Sequence, residues 1–512
     1  MRQIDHFIGG QSVVGTSGRF GDVFDPNTGR VQARVQLATT AEVDAAIANA
    51  AAAQPGWGAT NPQRRARVMF EFKRLVERDI DRLAELLSSE HGKVVADAKG
   101  DIQRGLEVIE FACGIPHLLK GEYTTGAGPG IDVYSMRVPL GVGAGITPFN
   151  FPGMIPMWMF GVAIACGNTF VLKPSERDSS VPVELGRLMM EAGAPPGVLN
   201  VVNGDKEAVD AILNSPLIRA VSFVGSSDIA QYVYSTGAAN GKRVQAMGGA
   251  KNHAIVLPDA DLEQVVADLS GAAFGSAGER CMALPVVVPV GQRTAETIRE
   301  MMLPAIAALR VGVSSDKDAH YGPVVNAAHR TRIENYIQMG VDEGAELVVD
   351  GRGFELQGHE GGFFIGPSLF DRVKPSMQSY QDEIFGPVLQ IVRAETLAEA
   401  AALPSQHQYG NGVAIFTRNG GAARDFAATV EVGMVGINVP IPVPIAYHSF
   451  GGWKRSGFGD HNQHGMEGVR FWTKVKTVTQ RWPTGGFDLP RGSEDGGPSR
   501  VVDSSFVIPT MK

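Results

Sequence analysis

A chain of 512 residues is too long for one compact core and calls for two or three domains. With 44% hydrophobic and 20% charged residues the composition is that of an ordinary globular protein, and a net charge of −8 argues against a nucleic-acid partner, which would select for a basic face. Three cysteines, Cys113, Cys166 and Cys281, are too few and too scattered for a disulfide framework or a zinc site, so no metal and a reducing compartment, the cytoplasm, are expected.

The opening segment MRQIDHFIGG lacks an apolar stretch, and no secretory signal is read there. Residues 40–54 read as an Ala-rich amphipathic helix, and Pro62 to Gly92 as one long polar helix with an apolar stripe. Residues 95–114 give another helix, with Ile102, Leu106, Ile109 and Cys113 on one face and Arg104 off it. Glycine turn signals and β-type residues from Tyr123 to Met136 predict a hairpin. The most apolar stretch, Met154 to Cys166, contains Pro156 and Gly161 and falls short of the ~20 residues that span a bilayer, so no membrane partner is expected.

From Asn168 to about Leu257 strands (TFVLK, VLNVVNG, AVSFVGS) alternate with helices (PVELGRLMMEAG, KEAVDAILNS, DIAQYVYSTGA). Such alternation indicates a doubly wound parallel sheet. A second alternating region from about 265 to 440 indicates another α/β domain, and RGSEDGGPSR (491–500) reads as loop.

Two places invite a dinucleotide. In SFVGSSDIA a strand ends at Val224, Gly225 permits close backbone approach, and Ser226 or Ser227 can cap the next helix, whose N-terminus offers free N–H groups to a pyrophosphate. In LKPSE, Lys173 and Glu176 stand just past a strand of the same sheet and could address ribose hydroxyls, although a solvated charged turn reads the same way. GVGAG at 141–145 is read as strand or turn instead, because ITPFNFP follows it and opposes a helix.

TPFNFP, LKPSE, SFVGS, GAKNH, GERC and DEIFGPV stand in the order and at the approximate separations of the aldehyde dehydrogenase superfamily, which the chain resembles from about residue 5 to 480. The longer runs ITPFNFPGMIPMWMF, GAKNHAIVLPDAD, AAFGSAGERCMAL and HSFGGWKRSGFGD resemble its CoA-acylating methylmalonate-semialdehyde dehydrogenases. The resemblance implies an α/β fold of two doubly wound domains, a Rossmann-type cofactor domain (1–121 and 147–249) and a catalytic domain (250–440). It also implies a small β oligomerisation element (122–146 and 466–482), a C-terminal tail (483–512), and assembly as a homotetramer or homodimer.

The same resemblance makes Cys281 the nucleophile and Asn150 the oxyanion donor. A thiolate adding to an aldehyde gives a thiohemiacetal whose oxygen gathers negative charge, and the neighbouring Arg280 is a fixed cation that would favour thiolate and substrate anion alike. A buried, inert cysteine is the alternative, and it is the reading for Cys113 and Cys166, which lie in apolar patterns. Phe149, Lys173, Glu176, Arg177, Gly225, Ser226, Glu383 and Phe385 are implied as cofactor contacts, with Glu383 on the nicotinamide ribose. The cofactor implied is NAD rather than NADP, since the charge of Glu176 would disfavour a 2′-phosphate. Arg104 and Arg280 match arginines that hold a substrate carboxylate, which guanidinium binds in bidentate fashion.

Hydrolytic relatives carry a glutamate in an E-L-G-G-K-type segment, where it activates water. Aligned on Lys251, this chain reads MGGAK and places Met247 there. Methionine cannot accept a proton, and such base assistance is worth ~10²–10⁴-fold, so a thiol such as coenzyme A is the expected acyl acceptor. Malonate or methylmalonate semialdehyde would then give acetyl-CoA or propionyl-CoA with loss of CO₂, as in valine or inositol breakdown. The alternatives are hydrolysis assisted by another base, such as Glu263 or a histidine, and a catalytically silent protein on the same fold.

Overall fold

Short apolar runs buried on both faces form the inner strands of two large sheets. In a computed structural model, which describes residues 1–483, the first sheet has eight strands. From edge to edge they are Gly457–Phe458, Arg243–Met247, Ile218–Val224, Val142–Ile146, Thr169–Lys173, Leu199–Val201, His6–Ile8 and Gln11–Val13. The inner five, from Arg243–Met247 to Leu199–Val201, are parallel, and the outer strands are antiparallel. Every residue of Val142–Ile146 and Thr169–Lys173 is buried, as helices on both faces require.

The chain steps from Val142–Ile146 outward through Thr169–Lys173 and Leu199–Val201, then returns to the other flank with Ile218–Val224. That reversal opens a crevice beyond the carboxyl ends of Val142–Ile146 and Ile218–Val224, where such sheets bind ligands. GVGAG lies in the middle of this sheet as a strand. Its glycines serve packing: a Cβ on Gly143 would come within 2.5 Å of the Trp472 ring, and one on Gly145 within 2.8 Å of Phe170.

The second sheet has seven strands, in the order Glu346–Val349, Ser368–Asp371, Val388–Ile391, Val286–Pro289, His253–Val256, Gly412–Phe416 and Met434–Ile437. All its pairings are parallel except that of the Glu346–Val349 edge. Between the strands Val142–Ile146 and Thr169–Lys173 of the first sheet, the apolar run predicted at Met154–Cys166 is the helix Met154–Ala165, every residue of which is buried. No helix among the described residues is long and apolar enough to cross a membrane.

Three expectations are corrected. The long helix at 62–92 is two helices, Pro62–Arg78 and Ile80–His91. Asp79 leaves the helical conformation (φ −101°, ψ 8°), and its carboxylate accepts bonds from Arg78 and Arg82. The element predicted at 122–146 ends its hairpin at Pro139, because Val142–Ile146 is needed in the eight-stranded sheet. In the partner segment 466–482 the helix Gly465–Phe471 comes first, and only Thr473–Gln480 is strand.

That strand joins Ile131–Pro139 and Tyr123–Gly128 in a three-stranded sheet. Residues 121–136 and, among the described residues, 477–483 belong to a small compact unit, in which Tyr123 is exposed and stacked on Tyr134. The loop expected at 491–500 and most of the expected tail lie outside the described residues.

Candidate active site

The cysteine is delivered by a tight turn. After the helix Leu262–Phe274 the chain passes through Ser276, Ala277 and Gly278 with φ of 53°, 52° and 73°, a left-handed run that costs ~1 kcal/mol or more at each non-glycine residue. Gly278 is required there, because a Cβ would lie 2.1 Å from the Gly386 carbonyl oxygen. The loop of Cys281 is thus packed directly on the loop of Glu383 and Phe385. The Cys281 carbonyl accepts bonds from the side-chain amides of Asn252 (3.0 Å) and Asn411 (3.1 Å), which fixes the peptide and leaves the thiol facing a cleft.

All three thiols are raised to about 12 by burial, so that value does not single out a nucleophile. Access does. Cys113 and Cys166 are buried among apolar side chains, whereas Cys281 is partly exposed in the wall of a cleft of about 240 Å³. At rest this thiol is protonated at neutral pH. Burial disfavours its thiolate most, and the Glu383 carboxylate adds to that; the backbone N–H groups of Cys281 and Met282 and the Lys93 ammonium oppose them. Arg280, expected to favour the thiolate, is turned to the Asp97 carboxylate (2.8 Å) and the Gly271 carbonyl, so its charge is already balanced.

Asn150 lies in the loop between the strand Val142–Ile146 and the helix Met154–Ala165. Its Nδ2 donates to the Glu279 carbonyl at 3.1 Å, leaving a second N–H free beside the nucleophile loop. Cys281, Arg104, Arg280, Asp97 and Asp101 share the cleft with an apolar wall of Phe151, Met154, Trp158 and Phe450. Arg104 is held by Glu107 at 2.8 Å and is part-exposed. Two guanidiniums and a thiol in one small cleft suit a short aldehyde that bears a carboxylate. Replacing Arg104 by methionine should raise KM for such a substrate by ~10-fold or more, the worth of one hydrogen bond to a charged group, with a smaller change in kcat; steady-state kinetics would check it.

Six of the predicted cofactor residues, Phe149, Lys173, Glu176, Arg177, Gly225 and Ser226, lie at or just past the carboxyl ends of three adjacent parallel strands, and Glu383 and Phe385 lie in the loop before Val388–Ile391 of the seven-stranded sheet. Lys173 Nζ donates to the Gly204 carbonyl (2.7 Å) and stands 3.4 Å from Glu176, and burial lowers its pKa. Ser226 occupies the N-cap of the helix Ser227–Ala239 but makes no side-chain cap, and Ser227 Oγ donates to the Arg455 carbonyl and accepts from Gly249 N–H. The first turn of that helix therefore keeps N–H groups for a diphosphate. Arg177 lies over the Phe149 ring (4.8 Å to the centroid), and Phe149 meets Phe385 edge-on. Phe385 sits at φ 60°, with its carbonyl 2.8 Å from His329 Nε2. Burial pushes the Glu383 carboxyl up to about 7, while the Ala250 N–H at 3.0 Å favours its charged form. An ammonium, two carboxylates, an uncapped helix N-terminus and an aromatic pair fit a dinucleotide.

Met247 ends the strand Arg243–Met247, buried and paired with Val224 and Gly457. Glu263 is exposed at the start of the helix Leu262–Phe274 and does not line the cleft. Sequence reading passed over Glu279, two residues before the cysteine in GERC itself. It is fully buried between His329 (3.4 Å) and His91 (3.8 Å), accepts from Val325 N–H, and burial raises its carboxyl to about 8. A carboxyl raised in the fold destabilises the native state as pH rises from about 4.5 to about 8. Glu279→Gln should therefore gain thermal stability over the parent progressively across that window, which paired melting curves at pH 4.5 and 8 would read.

Residues 13–478 match the aldehyde dehydrogenase family. The chain belongs to that family. Among its relatives is the malonate-semialdehyde dehydrogenase of Pseudomonas aeruginosa, 54% identical over 94% of this chain and 97% of that protein. The acylating mitochondrial methylmalonate-semialdehyde dehydrogenase of Arabidopsis thaliana is 48% identical over 94% of this chain and 79% of that one. A crystal structure assigned as a methylmalonate-semialdehyde dehydrogenase of Sinorhizobium meliloti 1021, complexed with NAD, superposes with a TM-score of 0.94 at 62% identity, covering 95% and 99% of the two chains. The chain thus groups, within the family, with the malonate- and methylmalonate-semialdehyde dehydrogenases.

Proposed function

We propose that this chain oxidises malonate or methylmalonate semialdehyde and passes the acyl group to coenzyme A. The observation that carries the reading is one cleft holding Cys281, Arg104 and Arg280, with Met247 in place of the water-activating glutamate. Arg104 and Arg280 bind the substrate carboxylate, turning to it from Glu107 and Asp97, and aim the aldehyde carbon at the sulfur. Cys281 gives its proton to solvent at the open cleft and adds to the carbonyl as thiolate, and the oxyanion receives the free N–H of Asn150 and the backbone N–H of Cys281. Bound NAD supplies the hydride acceptor, held by Lys173, Glu176, Arg177, Gly225 and Ser226 on one side and by Glu383, Phe149 and Phe385 on the other. Hydride loss from the thiohemiacetal leaves a thioester on Cys281; its β-carboxylate departs as CO₂, the resulting enolate takes a proton from solvent, and coenzyme A takes the acyl group as its thiol proton replaces it on the released cysteine.

In this reading the eight-stranded sheet is the cofactor domain and the seven-stranded sheet the catalytic one. The three-stranded element joins copies of the chain into a homodimer or homotetramer, because an unpaired strand edge is a ready site for pairing. A free thiol as nucleophile suits the cytoplasm. The testing experiment is NADH formation from malonate semialdehyde with and without coenzyme A, with products identified by mass spectrometry. Acetyl-CoA and strong dependence on coenzyme A are expected. Fast turnover to a free acid without it would overturn the acylating assignment.

A further inference from the structure

Beneath the Asn150 loop lies a buried lysine that the mechanism has not used. Lys93 follows the helix Ile80–His91 and is 1% exposed. Its backbone is pinned twice: Lys93 N–H donates to His91 Nδ1 (3.2 Å), and Ser88 Oγ donates to its carbonyl (2.8 Å). From that anchor Nζ donates to the Asn150 backbone carbonyl at 2.5 Å, lies 4.1 Å from the Phe151 ring centroid, and stands 3.5 Å from Asp101. Asp101, also buried, accepts from the Met154 N–H at 2.6 Å. The pair therefore grips both ends of a five-residue loop, the carbonyl of Asn150 at one end and the N–H that opens the Met154–Ala165 helix at the other.

We propose that Lys93, backed by Asp101, is a positioning residue that holds the Asn150 loop so that its side-chain amide meets the oxyanion formed on Cys281. A buried ammonium is costly unless it is paired and hydrogen-bonded, and here its partners are all on that loop or hold it. A carbonyl bond to an ammonium is short and strong enough to fix a peptide plane. A shift of a few tenths of an ångström at Asn150 would degrade a donor whose value depends on pointing at the developing charge and not at the ground-state carbonyl. The effect should therefore fall on kcat.

The inference rests on the role given above to Asn150, so the experiment carries both. Lys93→Met, Lys93→Gln, Asp101→Asn and Asn150→Ala are prepared in the full chain, with NAD affinity and melting temperature measured beside the kinetics of malonate semialdehyde oxidation. Lys93→Met is expected to lose ~10²-fold in kcat, approaching Asn150→Ala, with KM for the semialdehyde and Kd for NAD within about threefold of the parent. Lys93→Gln, which can still donate to the Asn150 carbonyl, should recover part of that loss, and Asp101→Asn should fall between. A folded Lys93→Met with kcat within about twofold of the parent, or one that loses only KM, overturns the proposal while Asn150→Ala remains impaired. If Asn150→Ala itself keeps its kcat, the oxyanion role fails first. Should Lys93→Met not fold, Lys93→Gln and Asp101→Asn are read by the same kcat-against-KM criterion, and parent-like kcat in both overturns it.

Discussion

Cys281→Ala is expected to lower NADH formation from the semialdehyde by on the order of 10⁴-fold or more, to the limit of the assay. Loss of the nucleophile removes the thiohemiacetal and every later step, so residual rate cannot come from cofactor binding or from the oxyanion donors alone. Binding of NAD should persist, since no cofactor contact assigned here uses the sulfur. The matched controls are Cys113→Ala and Cys166→Ala, whose thiols are buried in the core and cannot reach a substrate. Some loss of stability is expected in these controls, from the small cavities they leave, with turnover per folded molecule retained. On long exposure to excess iodoacetamide, which draws on the small thiolate fraction, the native parent should be modified at one cysteine and the Cys281→Ala protein at none, read by intact mass. Full activity in Cys281→Ala would remove the mechanism altogether.

The second large effect belongs to Asn150. Its Nδ2 already uses one hydrogen on the Glu279 carbonyl, so the amide is oriented before substrate arrives. Asn150→Ala should reduce kcat by ~10²–10³-fold, the usual loss for one oxyanion donor, with little change in KM. Stopped-flow mixing separates this from a folding defect. The first NADH burst should slow by the same factor as kcat, because the donor acts before the thioester exists. A normal burst followed by slow steady turnover would place the defect in acyl transfer and contradict the role.

Much of this architecture was legible because parallel sheets bury both faces. TFVLK and AVSFVGS read as strands since a continuous β-rich apolar run has few other uses, and turn glycines such as Gly193 (φ 95°) mark where helices stop. The break at Asp79 was hidden because the apolar stripe continues in phase across it, and only local bonds to Arg78 and Arg82 interrupt the backbone. The strand Val142–Ile146 was misassigned to the hairpin because its glycines are there for Trp472 and Phe170, partners far away in sequence or on the next strand.

At the site, sequence singles out residues carrying reactive groups within recognisable motifs, and it gives no sign of those whose surroundings are set by burial. Lys93 and Glu279 look like surface charges in sequence, since nothing local says that a lysine beside Gly92 will be sealed under a loop 57 residues away. Arg280 lines the cleft, but the electrostatic effect expected of it on the thiolate is offset by its counter-ion, Asp97, which comes from a helix distant in sequence.

The contact between Gly278 and the Gly386 carbonyl has a consequence for how this enzyme can diversify. It welds the loop of the thiol to the loop that carries Glu383 and Phe385, so the distance between sulfur and cofactor side is set by backbone against backbone, with no side chain to trim or extend. The apolar wall of the cleft is different: Phe151 and Trp158, from the Asn150 loop and the helix it opens, meet Phe450 from a distant stretch of chain. Acceptance of a larger or smaller acyl group is therefore open to single substitutions in that wall. The chemistry itself sits on a frame that selection can keep or lose, but not adjust by degrees.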